Sequence, residues 1–375
     1  MKALLKKIVG LFFELLTLRK NVIVFESNPD FSDNTLFVFN ELLRRGYNKK
    51  YKFVWLLYGG QKDYPKYKNV KYVNANNAFT RIYYKHKAKG LIFCNRFFEN
   101  LNKKQVTFFL QHGAALKATP FYVSGIPQST NYVFSISPFM ADIDSHLYGL
   151  PRERFIPLGF ARNDEMFFES VSIKELFPER DFSHIIAWYP TVRQNKNYVE
   201  GRVEVKKPIS IIWDMEVAKE INDFAKERDT LLIVKVHPAQ KNEFDGYHFS
   251  NIVFIDNGFL KEKNVSSYVF LKSCDALLTD YSSVYYDYML CDKPIGFVWE
   301  DYDEFVSGYG FSIGEEMLEG GEKIYSSQDL KEFIKNVSLG RDVNKENRHK
   351  VRDKAFSSID GHYSEAIADF IISKL

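Results

Sequence analysis

Five polar clusters in this sequence each follow a short apolar run, and each carries side chains able to move protons or hold phosphate. In the stretch Phe108 to Lys117, the apolar run delivers Gln111 and His112, Gly113 permits an unusual turn, and Lys117 follows five residues after the histidine. Imidazole titrates near neutral pH, so a histidine at a strand end suits acid–base work. A second run, from Leu231, ends in Lys235, His237 and Pro238; a regular strand puts Lys235 and His237 on one face. A third, from Ala187, leads into Thr191 and Arg193, and a guanidinium grips phosphate oxygens in a fork. The fourth, Ala276 to Leu290, reads as buried strand, tight turn and helix. There Asp280, Ser282 and Ser283 supply N-cap-type oxygens where free N–H groups suit phosphate. The fifth is the polar turn Glu26 to Asn34, with Asp30, Asp33 and Asn34. Apart from the His112 segment, each cluster alone has an ordinary structural reading, such as a helix cap or a solvated turn. Five at strand ends in one chain point to a site.

The elements that position these residues alternate. Apolar, β-rich runs are expected at Val22–Phe25, Phe53–Leu57, Leu91–Phe93, Val106–Leu110 and Tyr132–Ile136. The second half repeats the theme at Ile185–Trp188, Leu231–Val236, Ile252–Ile255, Ala276–Thr279 and Ile295–Trp299. Helical patterns intervene at Asn34–Arg45, Ser137–Tyr148, Trp213–Arg228, Ser266–Cys274, Gln328–Val337 and Ser364–Leu375, and residues 195–207 read as a loop. Strands alternating with helices predict an α/β protein with parallel sheets covered on both faces. Two such halves predict two Rossmann-like domains facing across a cleft, with ligands at the carboxyl ends of the strands. The expected divisions are residues 1–20, 21–163, 164–345 and a C-terminal helical segment 346–375, with the main boundary near Gly159–Ser172.

Composition narrows the function classes. With 375 residues, the chain is long enough for two domains, and 45% hydrophobic with 26% charged residues is a globular balance. A net charge of +3 gives no case for nucleic acid. Cys94, Cys274 and Cys291 are scattered and odd in number, so neither a disulfide framework nor a zinc site is expected; a reducing cytoplasm fits. Asp142 and Asp144 fall on different faces of a predicted helix, and Asp301 with Asp303 is a second Asp-x-Asp; no metal is expected at either. No glycine-rich dinucleotide fingerprint and no Walker A sequence occur, so no cofactor is expected. Residues 1–20 form a basic amphipathic pattern. Leu4, Leu5, Ile8, Val9, Leu11, Phe12, Leu15, Leu16 and Leu18 share one helical face, and Lys2, Lys6 and Lys7 lie opposite. The uncharged runs are too short to span a bilayer, so the expectation is a helix lying in the membrane interface.

Taken together the motifs resemble the CDP-glycerol glycerophosphotransferase family of teichoic-acid and capsule synthesis. The matching stretches begin at His112-Gly113 with Lys117, Ser135 to Phe139 and Pro157 to Asp164. They continue through Tyr189 to Arg193, His237-Pro238, Thr279 to Val284, Asp292 to Ile295 and Tyr302 to Gly310. The turn Pro29 to Asn34 fits as well, so the resemblance spans about residues 21–340 with the motifs in family order. It implies a GT-B-like pair of domains and an in-line displacement at phosphorus. The polyol phosphate of CDP-glycerol or CDP-ribitol would pass to a hydroxyl on a lipid-linked saccharide acceptor at the cytoplasmic face of the membrane, releasing CMP. It implies His112 as general base, with His237, Arg193, Ser282 and Ser283 on the pyrophosphate and Asp280 as an orienting group. Thr191 and Lys235 would join the donor side, and Gln111, Gly113, Lys117, Asp30, Asp33 and Asn34 the acceptor side. Gln111 stands where the family often has Trp, and Val192 where an aromatic is common. The absence of the long N-terminal extension of polymerising members favours a priming or single-addition enzyme. Two other readings remain: a GT-B glycosyltransferase using a nucleotide sugar, and a non-catalytic wall-synthesis scaffold.

Overall fold

Val22–Glu26 reads VIVFE and is buried at every position, the signature of a strand covered on both faces. The computed structural model, which describes residues 21–59, 63–100, 104–118, 126–191, 209–212, 214–236, 247–308 and 310–375, builds two parallel sheets from such runs. The first holds β1 (Val22–Glu26), β2 (Lys52–Leu57), β3 (Val70–Asn74), β4 (Gly90–Phe93), β5 (Val106–Phe109), β6 (Tyr132–Phe134) and β7 (Phe155–Ile156). Its order is β3-β2-β1-β4-β5-β6-β7. The second holds β8 (His184–Tyr189), β9 (Thr230–Lys235), β10 (Ile252–Ile255), β11 (Ala276–Thr279), β12 (Ile295–Val298) and β13 (Glu322–Ile324). Its order is β10-β9-β8-β11-β12-β13. All strand pairs in both sheets are parallel. The order reverses between β1 and β4 in one sheet and between β8 and β11 in the other. A topological switch point of this kind opens a crevice at the carboxyl edge.

Each sheet belongs to its own compact unit. Among the described residues the first unit runs to Ala114, resumes through Asp164, and takes in Phe356–Leu375; the second holds 115–118 and Glu165–Ala355. The segment 346–375, set apart in sequence as C-terminal helices, is therefore divided. Helix Lys345–Ala355 completes the second unit, and helix Tyr363–Lys374 returns to the first. Contacts at its first turn hold the returning helix. Asp164 accepts hydrogen bonds from the Tyr363 and Ser364 amides at 2.9 and 3.0 Å. Ser364 Oγ donates to the Ala161 carbonyl. Gly159, at φ +86°, leaves room for the Tyr363 ring where a Cβ would approach to 2.3 Å. The helix buries Ile367, Ala368 and Ile371 against a core that contains Phe25, Phe39, Phe53 and Trp55. Rings 39, 53 and 55 lie 5.2–5.6 Å from Phe25, centroid to centroid. Burying an isoleucine contributes roughly 1.5–3 kcal/mol.

Three strands escape the sequence pattern. β3, at the sheet edge, buries only Val73, β7 has two residues, and β13 reads Glu-Lys-Ile. None offers the apolar run that marks the others. Residues 195–207 and the N-terminal twenty, on which a loop and a membrane helix were expected, lie outside the described residues. No helix among the described residues is long and apolar enough to cross a membrane.

Candidate functional site

In the first unit the chemistry gathers beyond β5. Gln111 adopts φ +57°, so the unusual turn expected at Gly113 falls one step before His112 instead. The conformation points the Gln111 side chain inward. Its Nε2 donates to the Phe134 carbonyl at 2.7 Å and to Asp144 Oδ2 at 2.9 Å, and its Oε1 accepts from Tyr148 Oη. Only 1% of Gln111 is exposed, so it anchors the strand end and offers nothing to an acceptor. Asp144, fully enclosed in this network, has its pKa raised to about 6 by burial.

His112 itself reaches solvent, with Nδ1 3.4 Å from the Cys94 carbonyl. Chain atoms crowd its other sides. This desolvation lowers its pKa below the ordinary 6.5 and outweighs the opposing pull of Asp33; Arg162 lowers it further. The ring's open side limits the penalty, but the direction favours a neutral imidazole at pH 7.

The turn after β1 serves His112 rather than solvent. Asn34 is wholly buried and donates to the Leu110 and Gln111 carbonyls at 3.3 and 3.0 Å, while its Oδ1 accepts from the Arg162 amide. Arg162 Nη1 donates to Asp33 Oδ1 at 2.8 Å and to the His112 carbonyl at 2.7 Å. Asp33 and Asn34, expected on the acceptor side, are thus the clamp of the His112 backbone. Arg162 is the functional residue the sequence reading passed over. It lay inside a motif already singled out, but its partners are 50 and 129 residues away. Asp30 is tied down as well: its carboxylate accepts from the Tyr58 and Gly59 amides. Lys117 departs from expectation. It belongs to the second unit, bridging to Phe311, with Ala118 and Ser312 amides bonded to Gly310 and Leu116 alongside.

In the second unit the order β9-β8-β11 sets three strand ends side by side. Asp280, 1% exposed, ends β11. It accepts from the Thr191 amide at 3.0 and 2.8 Å and from Thr191 Oγ1, so it ties its strand to the end of β8 across the switch point. The helix Val284–Met289 that follows has six residues. Its cap is not the one expected from sequence. Ser283 occupies the N-cap position without a side-chain capping bond, Ser282 Oγ stands 3.5 Å from the Val284 amide, and Asp280 faces β8 instead. Both hydroxyls are half-buried at the strand edge. Lys235 closes β9, its ammonium 4.9 Å from the Tyr189 ring centroid and its pKa lowered by burial. Tyr281 stacks on Phe305 with centroids 3.6 Å apart and donates to Asp301, an aromatic layer the strand-end logic did not anticipate. Arg193 and His237 lie outside the described residues.

The carboxylate pairs disperse. Asp142 pairs with Arg152 on the surface while Asp144 is buried; Asp301 bonds Tyr281 and Asp303 is exposed. Burial pushes the Cys94 thiol well up and that of Cys291 to about 12, which makes both poor nucleophiles.

Known proteins resemble the chain in sequence and in fold. The chain is 26% identical, over 96% of its length, to a teichoic acid poly(ribitol-phosphate) polymerase of Bacillus spizizenii, of which it covers 57%. It is 23% identical, over 99% of its length, to a teichoic acid glycerol-phosphate transferase of Staphylococcus aureus, of which it covers 98%. Against a teichoic acid poly(glycerol phosphate) polymerase of Staphylococcus epidermidis it spans half the relative's length. Among solved structures, that of the wall teichoic acid polymerase TagF superposes with a TM-score of 0.71 at 20% identity, covering 95% of this chain and 89% of that one. A UDP-GlcNAc 2-epimerase from Neisseria meningitidis superposes at 0.54 with 13% identity, covering 94% of this chain and 100% of that one. These two speak to the fold: two parallel-sheet α/β units. The model of the CDP-glycerol:poly(glycerophosphate) glycerophosphotransferase family matches residues 9–373, nearly the whole sequence, and the chain belongs to that family.

Proposed function

We propose that the chain transfers glycerol phosphate, or a related polyol phosphate such as that of CDP-ribitol, from its CDP-linked donor to a hydroxyl of a polyprenyl-diphosphate-linked acceptor. The acceptor oxygen bonds to the donor phosphorus, the P–O bond to CMP breaks, and CMP leaves. The observation that carries this reading is His112: a neutral imidazole at a strand end, its backbone fixed by Asn34 and Arg162, takes the acceptor's proton. Phosphoryl transfer asks mainly for placement and for positive charge on the phosphoryl oxygens. Lys235, with Arg193 and His237 from neighbouring sequence, supplies that charge on the donor side, the Ser282 and Ser283 hydroxyls add hydrogen bonds, and Asp280 ties Thr191 and the turn in shape. Residues 1–20, a basic amphipathic pattern, keep the enzyme at the cytoplasmic surface of the membrane where a polyprenyl acceptor resides.

The test is donor profiling with a synthetic lipid acceptor. CDP-glycerol, CDP-ribitol and UDP-sugars are offered in turn, and released CMP or UDP is measured for the wild type and His112→Ala. CMP release that depends on acceptor and on His112 is the expected result. UDP release in its place makes the chain a glycosyltransferase, and nucleotide binding without turnover makes it a scaffold.

A further inference from the structure

Both sheets change direction once, and both switch points are bridged by side chains. Asp280 and Thr191 bridge the second. Glu26 and Arg96 bridge the first: Glu26 ends β1, Arg96 follows β4, and Nη1 of the arginine lies 3.2 Å from Oε1 of the glutamate. Glu26 is wholly buried, and its Oε2 has no hydrogen-bond partner. Arg96 is about a third exposed, with its guanidinium carbon 3.7 Å from the Tyr58 ring centroid. Stacking and the ion pair fix the fork, and its remaining N–H groups can serve a ligand.

The charge around this pair is unbalanced. Arg96 and Lys85 act on Glu26, Arg81 and Arg96 act on Tyr58, and Arg81 acts on Lys85. Two cations, Arg96 and Lys85, therefore act on one buried carboxylate, and Arg81, its Nη1 held by the Ala75 carbonyl, acts on their neighbours. Exposed Glu99 is the other acid acting on Lys85, and Asp30 is spent on the Tyr58 and Gly59 amides. Burial raises Glu26 to about 7, so at neutral pH it cancels only part of the positive charge. An excess of cations at the carboxyl edge of a parallel sheet, at its switch point, is where an anionic ligand group binds.

We propose that Arg96, backed by Lys85 and Arg81 over buried Glu26, is a phosphate subsite that holds a phosphodiester of the acceptor chain. The inference rests on the transferase reading and assigns residues of this chain to one phosphate of the acceptor; an acceptor that lacks polyol phosphate, as a priming enzyme uses, would leave this subsite empty. Position favours acceptor over donor. The subsite lies in the unit of His112, at the end of β4, which directly neighbours β5, the strand leading to His112. Neighbouring strands are about 5 Å apart, so a chain whose terminal hydroxyl meets His112 has its preceding phosphate within reach.

The experiment separates this from the transferase reading, because binding needs no turnover. Glycerophosphoglycerol, a soluble phosphodiester, and CDP-glycerol are titrated separately into the full chain and into Arg96→Gln, Arg96→Lys and Glu26→Gln. Loss of a charge-assisted hydrogen bond predicts glycerophosphoglycerol affinity lower by about 10- to 100-fold in Arg96→Gln, with CDP-glycerol affinity unchanged. Arg96→Lys keeps the charge, guards against a folding defect, and should fall between. Glu26→Gln removes the neutralising charge and should bind the phosphodiester at least as well as the wild type. Equal glycerophosphoglycerol affinity in wild type and Arg96→Gln overturns the proposal. So does a loss confined to CDP-glycerol, which would move the subsite to the donor.

Discussion

Arg162 and Asp33 form an ion pair of 2.8 Å, and the same arginine nitrogen holds the His112 carbonyl at 2.7 Å. The pair therefore sets the position of the histidine and adjusts a charge state that burial governs. Asp33 raises the His112 pKa and Arg162 lowers it. Arg162→Gln removes the lowering influence and leaves the carboxylate, so the acid limb of the pH–rate profile should move to higher pH. It should also destabilise by about 3–5 kcal/mol, the cost of stranding one partner of a buried pair. A limb that stays in place in a folded variant means His112 is not the titrating base.

His112→Ala should lower turnover by roughly 10²–10⁴ while CDP-glycerol affinity holds. With the pKa displaced below 6.5, the imidazole is neutral and competent at pH 7, and activity should fall as pH drops through the displaced value. Near wild-type turnover at saturating acceptor would exclude the assignment.

Ser282 and Ser283 separate binding from folding. Neither side chain makes a close capping bond. The double alanine variant should therefore unfold within about 0.5 kcal/mol of the wild type. Donor affinity should still drop by about 1.5–3 kcal/mol if the hydroxyls meet phosphate. Equilibrium unfolding and donor titration on the same preparation distinguish the two. A large stability loss with intact affinity would make the serines structural.

Asp280 predicts the opposite balance. Asp280→Ala strands the Thr191 amide and hydroxyl and the Tyr281 amide, which accept no substitute in a buried turn. Destabilisation on the order of 3 kcal/mol should appear in urea unfolding, together with weaker CDP-glycerol binding.

Asp144 gives a stability signature. Its pKa is raised from 3.8 to about 6 by burial, so the folded chain binds this proton more tightly than the unfolded one. The contribution is full below pH 4, fades between 4 and 6, and is gone above, a span on the order of 3 kcal/mol. Asp144→Asn should flatten stability across that window; an unchanged slope would remove Asp144 as its source.

What the sequence made legible followed from local signals. Buried runs such as Leu91–Phe93 and Ala276–Thr279 fall on the observed strands, because a strand covered on both faces needs continuous apolar residues. Strand ends marked His112, Thr191 and Asp280 for the same reason. Roles that depend on direction were hidden. Gln111 and Asn34 read as ligand-facing polar residues, yet a positive φ at Gln111 and carbonyls 76 and 77 residues from Asn34 turn them inward. Lys117 shows the limit of proximity in sequence: five residues from His112, it pairs within the other unit.

The return of helix Tyr363–Lys374 to the first sheet bears on the order of events during synthesis. The second unit has all its residues once Ala355 has left the ribosome. The first, although translated earlier, still lacks the helix that buries Ile367 and Ile371 and the leucine that packs on Gly90. A chain truncated after residue 355 and released should therefore carry a protease-resistant second unit beside an open first one. The half with His112 closes last.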